Sequence, residues 1–171
     1  MSDLSLALAG LAGLALLLRP RHGGRAYGHD GHWGDAGAGV LLTTGTHVFL
    51  LQRSEEVTEG GTWGTPGGKV DEGEDALTAA LRELGEETHL ALDLNQVKRL
   101  GQTVYHSPNG RFRYTTFVLR VPPATKKKPV HLNWENDASA WVTKAWLEEN
   151  EEDLHPGLRE VLKDLALLSF A

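Results

Sequence analysis

Cysteine is absent from this sequence, so it carries no disulfide framework, no thiolate zinc site and no cysteine nucleophile. A reducing compartment is compatible with that absence, and the cytoplasm is the expected location. An excess of positive charge is also lacking: 17 Lys and Arg stand against 23 Asp and Glu, a formal net charge of −6. General nucleic-acid binders cluster Lys and Arg to displace counterions from phosphates, so nucleic acid is not expected as a partner. A small phosphorylated ligand stays open, because a bound divalent cation can supply the positive charge. At 171 residues, 40% hydrophobic and 23% charged, the chain has room for one soluble domain with one core and none for a second. It contains no internal repeat.

Long apolar runs are scarce, and the one candidate is Leu4 to Leu18, followed by Arg19, Arg21 and Arg25. As a helix it would reach roughly 22 Å, short of a hydrocarbon core of about 30 Å, so a full membrane span is not expected. A secretory signal wants a basic start, whereas the only early charge is Asp3. Three readings stay open: a helix docked on the domain or on a partner, including a second copy; a weak membrane anchor; or an extension with no role. If the run inserted, the arginines after it would keep the domain in the cytoplasm.

From Arg19 to Gly39 the composition shifts to glycine, histidine and charge, which reads as a linker into the first strand. The expected division is an apolar segment and Gly/Arg/His-rich linker over 1–27, then one domain over 28–171, its fold starting near His32. His22, His29, His32 and His47 follow no familiar zinc spacing, so surface or structural roles are expected. Gly39–Thr43 and His47–Arg53 are short apolar runs split by Thr44-Gly45-Thr46, a hairpin pattern. Glu59 to Gly68 holds five glycines and a proline, a loop that approaches something closely. Val97–His106 and Arg111–Val121 read as paired strands around Ser107-Pro108-Asn109-Gly110. Thr143–Glu149 and Pro156–Phe170 read as helices, Pro156 standing where proline opens one comfortably. Lys126-Lys127-Lys128 reads as a solvated loop. Strands and helices in this order imply an α/β domain with a mixed sheet between helices.

Asp75–Thr88 has helical periodicity. At about 100° per residue, Glu83, Glu86 and Glu87 fall within an arc of roughly 100°. Leu77, Leu81 and Leu84 are expected on the opposite side, and Ala76, Ala79 and Ala80 are expected to leave space above the carboxylates. Like charges at i,i+4 repel, and the negative end of the helix dipole makes the cluster worse. Only Arg82 offers local relief. Converging oxygen donors are what a hard cation such as Mg²⁺ wants; a solvated acidic helix end is the competing reading.

The spacing around that helix carries more. Gly68, five residues, Glu74, seven residues, then Arg82-Glu83-Leu84-Gly85-Glu86-Glu87-Thr88-His89-Leu90 resembles the Nudix box, G-x5-E-x7-R-E-U-x-E-E-x-G-U with U apolar. Six fixed matches would arise by chance in about one chain in 10⁴ to 10⁵. One position departs: His89 stands where the family has glycine. That residue follows the helix end, where a left-handed conformation is least strained without a Cβ. The departure bears on the helix exit more than on the acidic positions, all of which are present. Flanking segments HWGDAGAGVLL, FRYTTFVL and LHPGLREVL are similar to those of small actinobacterial-type Nudix proteins.

The resemblance implies a Nudix-type α/β/α sandwich and a MutT-like hydrolase that uses Mg²⁺, or Mn²⁺, to cleave a pyrophosphate bond in a nucleoside diphosphate derivative. It implies Glu83, Glu86, Glu87 and the Gly68 carbonyl as metal ligands, with one glutamate as base or water-orienting group. Glu74 and Arg82 are implied as structural support, and Glu135, six residues before Trp141, as a further acidic group. Arg53 is implied at substrate phosphate, with Gly67, Gly68 and Lys69 as further substrate contacts. Trp63 or Tyr114 could stack on a base or simply pack. Tyr105, His106 and Pro108 crowd the region that separates substrate classes in the family and do not choose one. Two other functions are compatible with the box: a nucleotide-sensing module without catalysis, and a housecleaning hydrolase for nucleoside triphosphates.

Overall fold

In the computed structural model, residues 6–9, 36–57, 59–106 and 110–169 are described. Eight strands form one mixed sheet: β1 (Leu6–Ala9), β2 (Ala36–Thr43), β3 (His47–Arg53), β4 (Trp63–Gly64), β5 (Gly67–Lys69), β6 (Lys98–His106), β7 (Arg113–Arg120) and β8 (Asn136–Thr143). Three α-helices accompany them: α1 (Ala76–Thr88), α2 (Lys144–Glu149) and α3 (Pro156–Ser169). The sheet runs β1-β6-β7-β2-β3-β4, with β5 added to β2 and β8 to β3.

β2 is the axis of the sheet. Its eight residues pair in parallel with β7, from Ala36↔Arg113 to Thr43↔Arg120. On its other edge it meets β3 only at Thr43↔Val48, beside the Thr44–Thr46 turn. The two strands then diverge. β5 fills the gap on the β2 side at Gly37–Gly39, and β4 on the β3 side at Leu51 and Gln52. Glycine is required at this fork: a Cβ on Gly39 would lie 2.6 Å from the Tyr114 hydroxyl and 2.7 Å from the Pro66 carbonyl oxygen.

Strand alternation distributes the core over two faces. Ala38, Val40, Leu42, Phe49, Leu51, Phe117 and Leu119 pack with Ala79, Ala80 and Leu84 of α1. Leu41, Leu50, Tyr114 and Val118 pack on the other face with Leu158, Val161 and Leu165 of α3. The helices therefore sandwich the sheet, the expected α/β layering.

Several boundaries differ from the sequence reading. The strand expected from Gly39 starts at Ala36, because Ala36–Ala38 pair with β7 as well. The Gly-rich loop contains β4 and β5, since its glycines let backbone lie against β2 and β3. Ala79 and Ala80 are fully buried and leave no space above the carboxylates; their small side chains bring α1 close to the sheet. Leu6–Ala9 are extended and pair in parallel with Gly101–Val104, which overturns a helix there. Two glycines weaken helix in that run, and β6 offers unpaired edge groups that a strand satisfies. The rest of residues 1–27, with His22, His29 and His32 and the turn residues 107–109, lies outside the described residues. Lys126 and Lys127 sit in a 3₁₀ turn over Pro123–Lys127.

Candidate active site

α1 opens at Asp75, whose carboxylate accepts the N–H groups of Leu77 and Thr78 at 3.1 Å, a standard N-cap. It closes at His89, which takes the left-handed conformation (φ 51°, ψ 21°) while its N–H reaches the Gly85 carbonyl at 2.8 Å. Histidine thus occupies the glycine position by adopting the glycine conformation. Its Nδ1 lies 3.0 Å from the His131 carbonyl oxygen, a side-chain anchor that glycine lacks.

Between these caps the three glutamates enter different surroundings. The Glu86 side chain is 58% exposed. Glu87 is buried at the fork of the sheet: Oε2 accepts the Gly67 N–H at 2.9 Å and Oε1 accepts Asn136 Nδ2 at 3.3 Å. Burial pushes its carboxyl up to about 8, with the charges of Glu135 and Glu83 adding to the rise and the two hydrogen bonds opposing it. Glu83 is also raised, chiefly by burial, with Arg82 opposing. A Cβ on Gly68 would stand 2.6 Å from both Glu83 carboxylate oxygens, so the absence of a side chain there gives Glu83 its place.

Arg82 ties the loop to the helix. Its Nε and Nη2 donate to the two Glu74 oxygens at 3.1 Å each, and Nη2 also donates to the Lys69 carbonyl at 2.9 Å. Nη1 donates to Glu83 Oε1 at 2.9 Å and to Glu86 at 3.3 Å. The hydrogen bonds to Glu74 are the largest cause of an Arg82 pKa above the guanidinium range, and Arg82 holds Glu74 below the carboxylate range.

Arg53 ends β3 partly buried, which lowers its pKa, while the charges of Glu87 and Glu135 oppose that effect. Arg53 therefore lies within electrostatic reach of Glu87 and Glu135, and Glu135 within reach of Glu83 and Glu87. Asn136, which sequence reasoning missed, follows Glu135 directly and bonds Glu87; only its adjacency to a singled-out acid could have signalled it. Tyr114 is fully buried and has no open face for a base. Trp63 packs edge-on against Trp146, ring centroids 5.7 Å apart. His155, also missed, is fully buried at the start of α3, with Nδ1 accepting the Gly157 N–H at 3.0 Å.

As they stand, no three His, Cys, Asp or Glu groups among the described residues are gathered to hold a metal ion. Glu83 and Glu86 turn to Arg82, and Glu87 turns to Gly67. The donor set nevertheless suits a hard cation, since every side chain in it offers carboxylate oxygen and Glu87 is a buried acid that a cation would relieve.

Residues 34–165 match the family described as the NUDIX domain. The chain belongs to the Nudix family. It is 35% identical over 137 residues to a putative 8-oxo-dGTP diphosphatase 3 of Mycobacterium tuberculosis, covering 74% of this chain and 59% of that one. It is 34% identical over 119 residues to a nucleoside triphosphate pyrophosphatase/Nudix hydrolase fusion protein of Bifidobacterium longum, covering 65% of this chain and 24% of the relative. The Nudix chain thus spans about a quarter of the fusion protein's length. Its fold is similar to that of a Nudix hydrolase from M. smegmatis, RenU, with a TM-score of 0.62 at 24% identity over 80% of this chain and 86% of that one. Among the described residues, no helix is long and apolar enough to cross a membrane.

Proposed function

We propose that this Nudix chain hydrolyses a pyrophosphate bond in a nucleoside diphosphate derivative, with Mg²⁺ or Mn²⁺ held by Glu83, Glu86, Glu87 and the Gly68 carbonyl. The observation that carries the reading is the fork of the sheet, where Gly67 and Gly68 lie directly against Glu87 and Glu83. Bare glycine backbone beside buried carboxylates suits a pyrophosphate whose charge is balanced by a cation. Bound there, a divalent cation would neutralise phosphate oxygens and make a water nucleophilic near neutral pH.

The chain's own groups divide the remaining work. Arg53 offers paired donors to a substrate phosphate, and Glu135, within electrostatic reach of Glu87, accepts a proton from water or orients it. Arg82 and Glu74 hold the loop and the helix in register. Asn136 and the Gly67 N–H fix the Glu87 carboxylate, and the Gly67–Lys69 backbone contacts the pyrophosphate. No nucleophilic side chain is needed.

The activities for which these two relatives are named favour a nucleoside triphosphate as the first substrate to try, a housecleaning role; ADP-ribose and sugar nucleotides follow. The pairing of Glu83 and Glu86 with Arg82 favours the second reading, a module that binds a nucleotide without turnover. A panel of nucleoside di- and triphosphates, ADP-ribose and sugar nucleotides, incubated with Mg²⁺ and analysed by mass, tests both. Pyrophosphate or phosphate released from a triphosphate, or two monophosphates from a sugar nucleotide, names the substrate. Binding without turnover of any member supports the sensing module instead.

A further inference from the structure

A groove of about 550 Å³ lies between the start of α1 and the face of β6 and β7. It is distinct from the carboxylate site: Asp75, at its wall, is eight residues before Glu83, roughly 12 Å along the helix. In a chain of net charge −6, the groove inverts the local sign. Arg99, His106 and Arg113 line it, and Asp75 is its one acid among the described residues. The Asp75 carboxylate is already committed to the N–H groups of Leu77 and Thr78.

The two ends of the groove differ. At one, the Arg99 guanidinium lies over the Phe117 ring, 4.8 Å from its centroid, and is bonded to Gln102. Phe117 is buried, so one guanidinium face is covered and the other can receive a planar group. At the other end, His106 and Arg113 face each other across the β6–β7 ladder and are exposed. Phe117 lies four positions after Arg113 on β7, roughly 13 Å at about 3.3 Å per residue. A gap of that order suits an extended nucleoside diphosphate.

We propose that this groove is a second nucleotide site, holding a base against Arg99 and phosphates against Arg113 and His106. It stands apart from the hydrolase reading, because none of the proposed metal ligands lines it. The test is calorimetric titration of the full chain with α,β-methylene-ADP in EDTA, which withholds metal and prevents turnover. Saturable binding is expected, weakened at least about fivefold by Arg99→Ala and by Arg113→Ala and unchanged by Glu83→Gln. Inorganic pyrophosphate is expected to bind more weakly than the nucleotide. Thermal melts check that the variants fold, with Arg99→Gln and Arg113→Gln as replacements where alanine does not. No saturable binding overturns the proposal, as does binding insensitive to both arginine changes or weakened by Glu83→Gln. Equal affinity for pyrophosphate overturns the base-stacking half. Failure of the hydrolase reading leaves all of these outcomes readable.

Discussion

Glu83 sits where a side chain on Gly68 would be: a Cβ there would stand 2.6 Å from both of its carboxylate oxygens. Gly68→Ala should therefore displace Glu83 rather than simply crowd the loop. Overpacking of this kind costs about 1–3 kcal/mol, whereas a misplaced reacting group can cost on the order of 10²-fold in rate. Mg²⁺-dependent turnover should fall by that order while thermal unfolding stays cooperative. Turnover near wild type would show that the position of Glu83 does not matter to the chemistry.

Changing Glu83, Glu86 and Glu87 singly to Gln should weaken metal binding and cut hydrolysis strongly, since an amide is a poorer ligand for a hard cation and cannot act as base. Stability in EDTA should move the other way, most for Glu87. Burial raises Glu87 from 4.5 to about 8, so the native state holds a proton that the unfolded chain has lost between those values. Stability then falls as pH rises through that window. Glu87→Gln lacks that fall and should be more stable than wild type at pH 8. A solvated acidic face predicts no effect on hydrolysis from any of the three.

His155 provides a second pH dependence of opposite sign. Burial lowers it from 6.5 to about 3, so the unfolded chain binds the extra proton first and stability is lost as pH falls from 6.5 toward 3. His155→Asn can still accept the Gly157 N–H as a helix cap and does not titrate. The variant should lose less stability than wild type between pH 7 and pH 5, by roughly 2 kcal/mol. Parallel melting profiles over that range would assign the acid sensitivity to other groups.

His89→Gly should keep activity. It relieves a left-handed backbone (φ 51°) but adds unfolded-state entropy and removes the contact with the His131 carbonyl, so stability should change by no more than about 1 kcal/mol. Loss of metal binding in this variant would make His89 a ligand.

We further propose that residues 1–27 are dispensable to the fold. Leu6–Ala9 form a four-residue edge strand on β6, and every described member of both core clusters lies downstream. A chain starting at residue 28 should remain folded and active, with a freed β6 edge that promotes self-association. Circular dichroism and light scattering check both halves; an unfolded product would place the segment in the core.

Much of this was legible from residue order because it rests on local periods. The short apolar runs of β2 and β3, the paired pattern of β6 and β7, the helical period after Asp75 and the spacing of Glu74, Arg82, Glu83, Glu86 and Glu87 along one loop and helix all reflect neighbours within a few turns of chain. Family and fold followed from that spacing. Only the tertiary structure decided what each glutamate does, because their surroundings come from distant segments. Glu87 is buried by Gly67 and Asn136, and Glu83 is seated against Gly68, while Glu86 stays in solvent. The same holds for Ala79 and Ala80, which helical angle alone placed over the carboxylates and which packing turned into the core. Helical periodicity places side chains around an axis, but the rotation of that axis against the sheet is set by which side chains the sheet can bury.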